Sequence, residues 1–387
     1  MRLDTRQLNR ALLARQGLLT PLDADRKPGP DSVVRAVEAI GPVQAQYWPA
    51  TAASLAARLT GFEPAHLYSA LEDGDLLTGT LIRATLHMTS AQHHAAYAAV
   101  AEASKACAWR RVVKEPTGDP VAGGDELRAA LAAWCDEAPR PRQAVEAFVE
   151  GWVAAHPGAV PEEEAAWQRQ HGWRPVATWA GVVRVGRFDG AKGPEEIRAA
   201  PVVPGTPGAP SPEDALDTAL LNYLRAFGPA GVDDAVQFFA WKPGPVREAL
   251  ARLGDRLAAF TDESGRELYD LPDAPRPGAE ADAPARLLPW FDSTLLAYAP
   301  NRRTRILPEG TWAKVYRPAG LRIDPAFLVD GFVAGLWSVK ATARKASVAL
   351  APFGTLSKAV KAGLEAEAQR MAAALYPGRS AEIGFAS

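Results

Sequence analysis

Two glutamines one residue apart, Gln44 and Gln46, stand in the stretch AIGPVQAQYWPA, between Pro42 and Pro49. A carboxamide is a poor acid, base or nucleophile. Its oxygen can accept a hydrogen bond from a water, and its NH2 can orient that water or hold a phosphate. The pair therefore suits chemistry that places a water rather than chemistry that moves a proton. The other reading is a solvated loop or a helix cap. Spacing separates the two: residues i and i+2 face opposite ways on a helix but share a face of an extended chain. Pro42 and Pro49 restrict helix here, which predicts an extended or irregular path for residues 43–47.

Other stretches offer supporting chemistry. RATLHMT alternates, so Arg83, Thr85, His87 and Thr89 are expected on one face of a strand, either lining a site or, for His87, hydrogen-bonded within the structure. NRRTR sets Arg302, Arg303 and Arg305 beside Asn301; such forks suit phosphate oxygens, or form a solvated basic loop. Lys105, Arg110, Arg111 and Lys114 make a second basic patch. Asp292 and Asp330 either fix turns or touch a ligand. Trp241 and Trp290 read as packing residues. His93 and His94 are adjacent, and no cysteine or carboxylate pattern completes a metal site. No glycine-rich phosphate loop and no Ser/His/Asp order is found.

The elements that must position these residues follow from periodicity. The chain of 387 residues predicts two to four folding units. Its 48% hydrophobic and 23% charged residues are ordinary for a globular protein. No apolar run reaches the ~18 residues of a membrane span. The first residues lack a signal-peptide core, and two cysteines build no disulfide framework, so a reducing cytoplasm is expected. Net charge is −2, yet from Arg286 onward 14 Lys and Arg face 7 Asp and Glu, giving +7 against −9 for residues 1–285.

Three segments repeat one order: helix, short helix, turn, helix, then a β-prone stretch. The third is clearest, with EDALDTALLNYLRAF, a short helix opened by Asp233 or Asp234, KPGPVREALARL ending at Gly254, and a strand pair around Ser264-Gly265. In the second, a hairpin is expected around Gly186–Gly190. In the first, Asp31 or Ser32 is expected to cap the helix of DSVVRAVEAIG. The pattern predicts an α+β chain of three tandem winged-helix (helix-turn-helix) units, at 1–115, 116–205 and 206–275. A β-rich, barrel-like domain at 276–387 follows, with Asp330-Gly331 as a hairpin turn and a terminal helix from Ser357 to Tyr376.

LNRALLARQGLL, GPVQAQYWPATAASLAARLTGF, LIRATLHMTSAQ and LLPWFDSTLLAYAPNRRTRIL with FLVDGFVAGLW carry a resemblance to a known family. The chain resembles the bacterial tandem winged-helix DNA glycosylases of the AlkZ/YcaQ-like family, over nearly its whole length and least over 115–210. Gln44-Ala45-Gln46 is similar to the Gln–apolar–Gln catalytic stretch of the crosslink-resistance branch. The resemblance implies that Gln44 and Gln46 are the catalytic pair. It also implies a monofunctional hydrolase acting on double-stranded DNA that carries bulky N7-alkylpurines, including interstrand crosslinks, in repair or self-resistance. A monomer without cofactor, metal, membrane or protein partner is expected. The chemistry fits: an N7-alkylated purine is cationic and leaves as a neutral base, so no general acid is needed, only a placed water and dipoles that tolerate an oxocarbenium-like sugar. The alternative function is a non-catalytic winged-helix DNA-binding regulator or drug-sequestering protein.

Overall fold

The computed structural model describes residues 1–104, 122–177, 179–186 and 193–386. Apolar side chains at helical spacing bury one face of the Pro212–Phe227 helix, including Leu216, Leu220, Tyr223 and Phe227. Ser211 caps it by accepting the Asp214 N–H. The Val232–Phe239 helix follows, with Asp234 accepting the Gly231 N–H at 2.9 Å. Pro243 opens the Pro243–Leu253 helix, and Gly254, at φ 45°, ends it. Strands Ala258–Asp262 and Glu267–Asp270 pair antiparallel. The N-terminal Arg2–Leu3 joins this pair as a parallel third strand.

The first segment supplies helices Thr5–Arg15, Pro30–Ile40, Pro49–Ala56 and Pro64–Glu72, strands Leu76–Thr80 and Leu86–Ser90, and helix Ala91–Ala103. The Pro30–Ile40 helix begins earlier than Asp31 or Ser32 would set it. Its N-cap is Gly29, without a side-chain cap, because Pro30 is already shaped for the first helical position.

The middle segment gives helices Ala122–Glu137, Arg142–Ala155 and Glu162–Gln170, and strands Val182–Val185 and Glu196–Ala199, which pair antiparallel as the expected hairpin. That hairpin joins the first segment's strands. The resulting six-stranded sheet runs Val43–Gln44, Leu86–Ser90, Leu76–Thr80, Val182–Val185, Glu196–Ala199, Arg140–Pro141.

The C-terminal sheet is open, which corrects the barrel-like expectation. Its order is Arg286–Leu288, Ala326–Val329, Phe332–Ala341, Lys345–Pro352, Ser380–Phe385, and the two outer strands do not meet. The Lys358–Leu375 helix, capped by Ser357, links the last two strands, which run parallel. It packs across the sheet instead of leaving it free to close. Asp330 and Gly331, both at positive φ, make the expected turn between antiparallel strands. The molecule is thus mixed α+β. One large core joins residues of the first, third and C-terminal segments; a second core, around Leu131, Val145, Val149 and Trp173, belongs to the middle segment. No helix among the described residues is long and apolar enough to cross a membrane.

Candidate active site

The glutamine stretch leaves a helix end at Gly41 and enters the six-stranded sheet. Val43 pairs with Met88 and Gln44 with His87, and the Ala45 N–H donates to the Leu86 carbonyl at 2.8 Å. The chain then leaves the sheet and starts a helix at Pro49. This path is extended and then irregular, as the flanking prolines require. Both amides come to one side: Gln44 Nε2 points to Gln46 Oε1 at 3.4 Å. Their environments differ. Gln44 is buried at 7% exposure, and its Oε1 has no hydrogen-bond partner among the described residues. Gln46 and Tyr47 are exposed. The Tyr47 ring meets Trp290 edge-on at 5.0 Å, and Trp290 rests against Trp337 at 5.5 Å, a wall of aromatics beside the exposed amide.

Beneath Gln44 lies a buried polar cluster. Arg58 Nη2 donates to both carboxylate oxygens of Asp292 at 2.9 Å and to Gln16 Oε1 at 3.3 Å; Nη1 donates to the Ser54 carbonyl at 3.1 Å. Asp292 also accepts from the Thr294 N–H and hydroxyl, so it fixes a turn. Ser293 donates to the Pro42 carbonyl at 3.1 Å, at the entrance to the motif. Sequence reading missed Arg58. The signal was an arginine in the otherwise small and apolar run ATAASLAARLTGF.

His87 is buried, and its Nδ1 lies 2.9 Å from the Thr85 carbonyl. A carbonyl only accepts, so Nδ1 carries a proton, and the lowered pKa keeps the ring neutral. Burial, and then the nearby Arg83 charge, push its pKa down to about 3. Arg83 and Thr85 are not on the strand as alternation suggested, because it begins at Leu86. Arg83 sits in the tight turn before it at φ 56°. Its Nη1 donates to the Phe238 carbonyl at 3.1 Å and its guanidinium lies over the Phe238 ring. Burial and the charge of Arg303 lower its pKa to about 10. Thr89, on the strand with His87, is buried.

The Pro300–Arg305 turn is no solvated basic loop. Asn301 is exposed, but Arg302, Arg303 and Arg305 point inward. Arg302 pairs with Asp234 at 3.3 Å and Asp233 at 3.1 Å. Arg305 donates to the Pro229 carbonyl at 2.8 Å and stacks over Tyr298. A display of their forks to phosphate does not follow from this geometry. Arg303 donates through Nε to the Tyr298 carbonyl and stacks over Trp312, and like Arg305 it has no carboxylate partner among the described residues. Lys105, Arg110, Arg111 and Lys114 lie outside the described residues. Trp241 packs, with its indole donating to the Val100 carbonyl at 2.9 Å.

Comparison with known proteins adds the lineage. The interstrand DNA cross-link repair glycosylase of Streptomyces sahachiroi is 31% identical over 179 residues, which cover 43% of this chain and 47% of that protein. The match thus spans about half the length of that relative. The solved structure of Streptomyces sahachiroi DNA glycosylase AlkZ aligns over 99% of this chain and 100% of its own, with a TM-score of 0.77 at 21% identity; that likeness shows the fold. The family model described as DNA glycosylase AlkZ-like matches residues 37–374, most of the sequence and both glutamines, and the chain belongs to that family.

Proposed function

We propose that this chain is a monofunctional DNA glycosylase that hydrolyses the N-glycosidic bond of bulky N7-alkylpurines in double-stranded DNA, interstrand crosslinks included, in repair or in resistance to a DNA-alkylating compound. Its helix–helix–helix–hairpin segments are read as winged helices that cradle the duplex. The observation that carries the proposal is the non-helical Gln44-Ala45-Gln46 path, which brings the two amides together with one exposed and its neighbour buried. A water held by Gln46 attacks C1′, the purine departs as a neutral base, and the water's second proton passes to solvent. No group has to protonate the leaving base, which agrees with a neutral His87 and with an Asp292 committed to Arg58.

Access supports the bulky class. A nucleotide tied to both strands cannot swing into a closed pocket, and Gln46 and Tyr47 stand open to solvent. Arg83 and Arg303, two largely buried cations without carboxylate partners among the described residues, are the proposed contacts for a DNA phosphate.

The test is excision from a duplex carrying N7-methylguanine, read as strand breaks after heating in alkali. The native chain is expected to release base. Gln46→Ala is expected to lose at least about 100-fold in rate, the scale of removing one polarising group from a transition state, while duplex affinity stays. Duplex binding by the native chain with no base release would favour the non-catalytic alternative.

A further inference from the structure

Gln44 Oε1 and Arg58 Nε share a condition: both are buried and neither has a hydrogen-bond partner among the described residues. Both residues line one cavity of about 10 Å3, the room one water needs. The walls are polar, with Gln16, Ser54, Asp292 and Ser293 among them. Leaving a buried acceptor and a guanidinium N–H both unmet would cost about 1–3 kcal/mol each. The Arg58 side chain is 1% exposed and held on its other nitrogens by Asp292, Ser54 and Gln16, so its Nε cannot turn elsewhere. The turn that delivers Asp292 is itself constrained: Phe291 sits at φ 56°, a conformation most side chains avoid.

We propose that a fixed water in this cavity accepts from Arg58 Nε–H and donates to Gln44 Oε1, making Arg58 and Asp292 positioning residues for the catalytic amides. The proposal rests on the glycosylase reading for its consequence. A carboxamide can turn over and exchange donor for acceptor. A donor beneath Oε1 forbids that exchange. The Gln44 NH2 then faces Gln46 Oε1, as the 3.4 Å approach has it, and turns the Gln46 oxygen to receive the attacking water. The two glutamines so divide the work: Gln44 donates and orients, and Gln46 accepts from the nucleophile.

Two measurements test this. A crystal structure of the full chain that resolves ordered solvent should show one water within hydrogen-bond reach of both Gln44 Oε1 and Arg58 Nε; continuous density without a water there overturns the proposal. Single-turnover excision on the N7-methylguanine duplex gives the second. Arg58→Lys keeps a cation opposite Asp292 but removes the branching N–H. It is expected to slow excision about tenfold, one orienting hydrogen bond's worth, with duplex affinity unchanged. In a Gln44→Ala background the same substitution should have no further effect, because there is no amide left to orient. An Arg58→Lys loss that persists undiminished in that background marks a merely structural role and overturns the assignment. If the native chain releases no base, the glycosylase reading fails, and the crystallographic arm still decides the water.

Discussion

The two cores are built with charge in opposite ways. In the large core, ion pairs are buried and join residues far apart in sequence: Arg15 with Asp270 across 255 positions, Arg58 with Asp292 across 234, Arg302 with Asp234 across 68. In the middle segment, pairs such as Arg142–Glu146, Arg140–Glu137 and Arg169–Glu150 are local and at least half in solvent on one partner or nearly so on both. The partly buried Arg128–Glu102 pair and the sheet register Thr78↔Arg184 and Gly79↔Val183 connect the regions. A buried pair adds little net stability over apolar packing, but removing one partner strands a charge. In the large core, charge thus joins segments distant in sequence, and the glutamines lie beside one such junction, Arg58 with Asp292. The middle segment relies on apolar packing, and its charges decorate the surface.

The strongest way to break this contrast is Asp292→Ala. Arg58 would be left ionised and buried, at an expected cost of about 3–5 kcal/mol. Amide hydrogen exchange can read the two cores separately. Protection should fall in the Pro49–Ala56 and Thr5–Arg15 helices and persist at Val145 and Val149. Equal loss in both cores would show one cooperative unit and dissolve the distinction.

Acid should sharpen it. His87 and His94 both lie in the body's first segment, and burial holds their pKa values down to about 3 and about 4, with Arg83 adding to the effect at His87. Unfolded, each returns to about 6.5 and binds a proton more readily than the folded state does. Their contribution to stability is complete above pH 6.5 and is lost as pH falls toward the folded values. Between pH 6.5 and 5, His87 alone should cost about 2 kcal/mol. His87→Asn, which keeps a donor for the Thr85 carbonyl, should flatten that slope in urea unfolding at the two pH values. An unchanged slope would mean that His87 is protonated when folded.

Local signals were legible in the sequence where a residue's own geometry decides the outcome. Pro42 and Pro49 announced the extended glutamines, Pro243 and Gly254 bounded a helix, and Asp330-Gly331 announced a turn. What depended on distant partners was not. Alternation placed Arg83 on a strand, but Arg83 and Ala84 both adopt positive φ, which neither residue type advertises. Arg302 and Arg305 looked like phosphate forks because Asp234 and the Pro229 carbonyl that receive them are remote in sequence. Half of the candidate site was visible, namely the amides. The pairing beneath them was not: Arg58 stands out in a small, apolar run and Asp292 reads as a turn residue, but nothing near either one names the other, 234 positions away. The barrel expectation failed for a related reason: strand propensity does not tell whether the outer strands meet.

The smallest effect is the control that completes the contrast. Arg142 stands at the first residue of its helix, where a cation opposes the positive end of the helix dipole. Its partner Glu146, four residues on, offsets that, and both are partly in solvent. Removing the cation loses an exposed pair and relieves the dipole at once. Arg142→Ala should therefore shift stability by no more than about 0.5 kcal/mol in either direction, with excision and duplex affinity unchanged. A loss near that of Asp292→Ala would mean that surface charge holds the middle segment together after all, and the two regions would then be built alike.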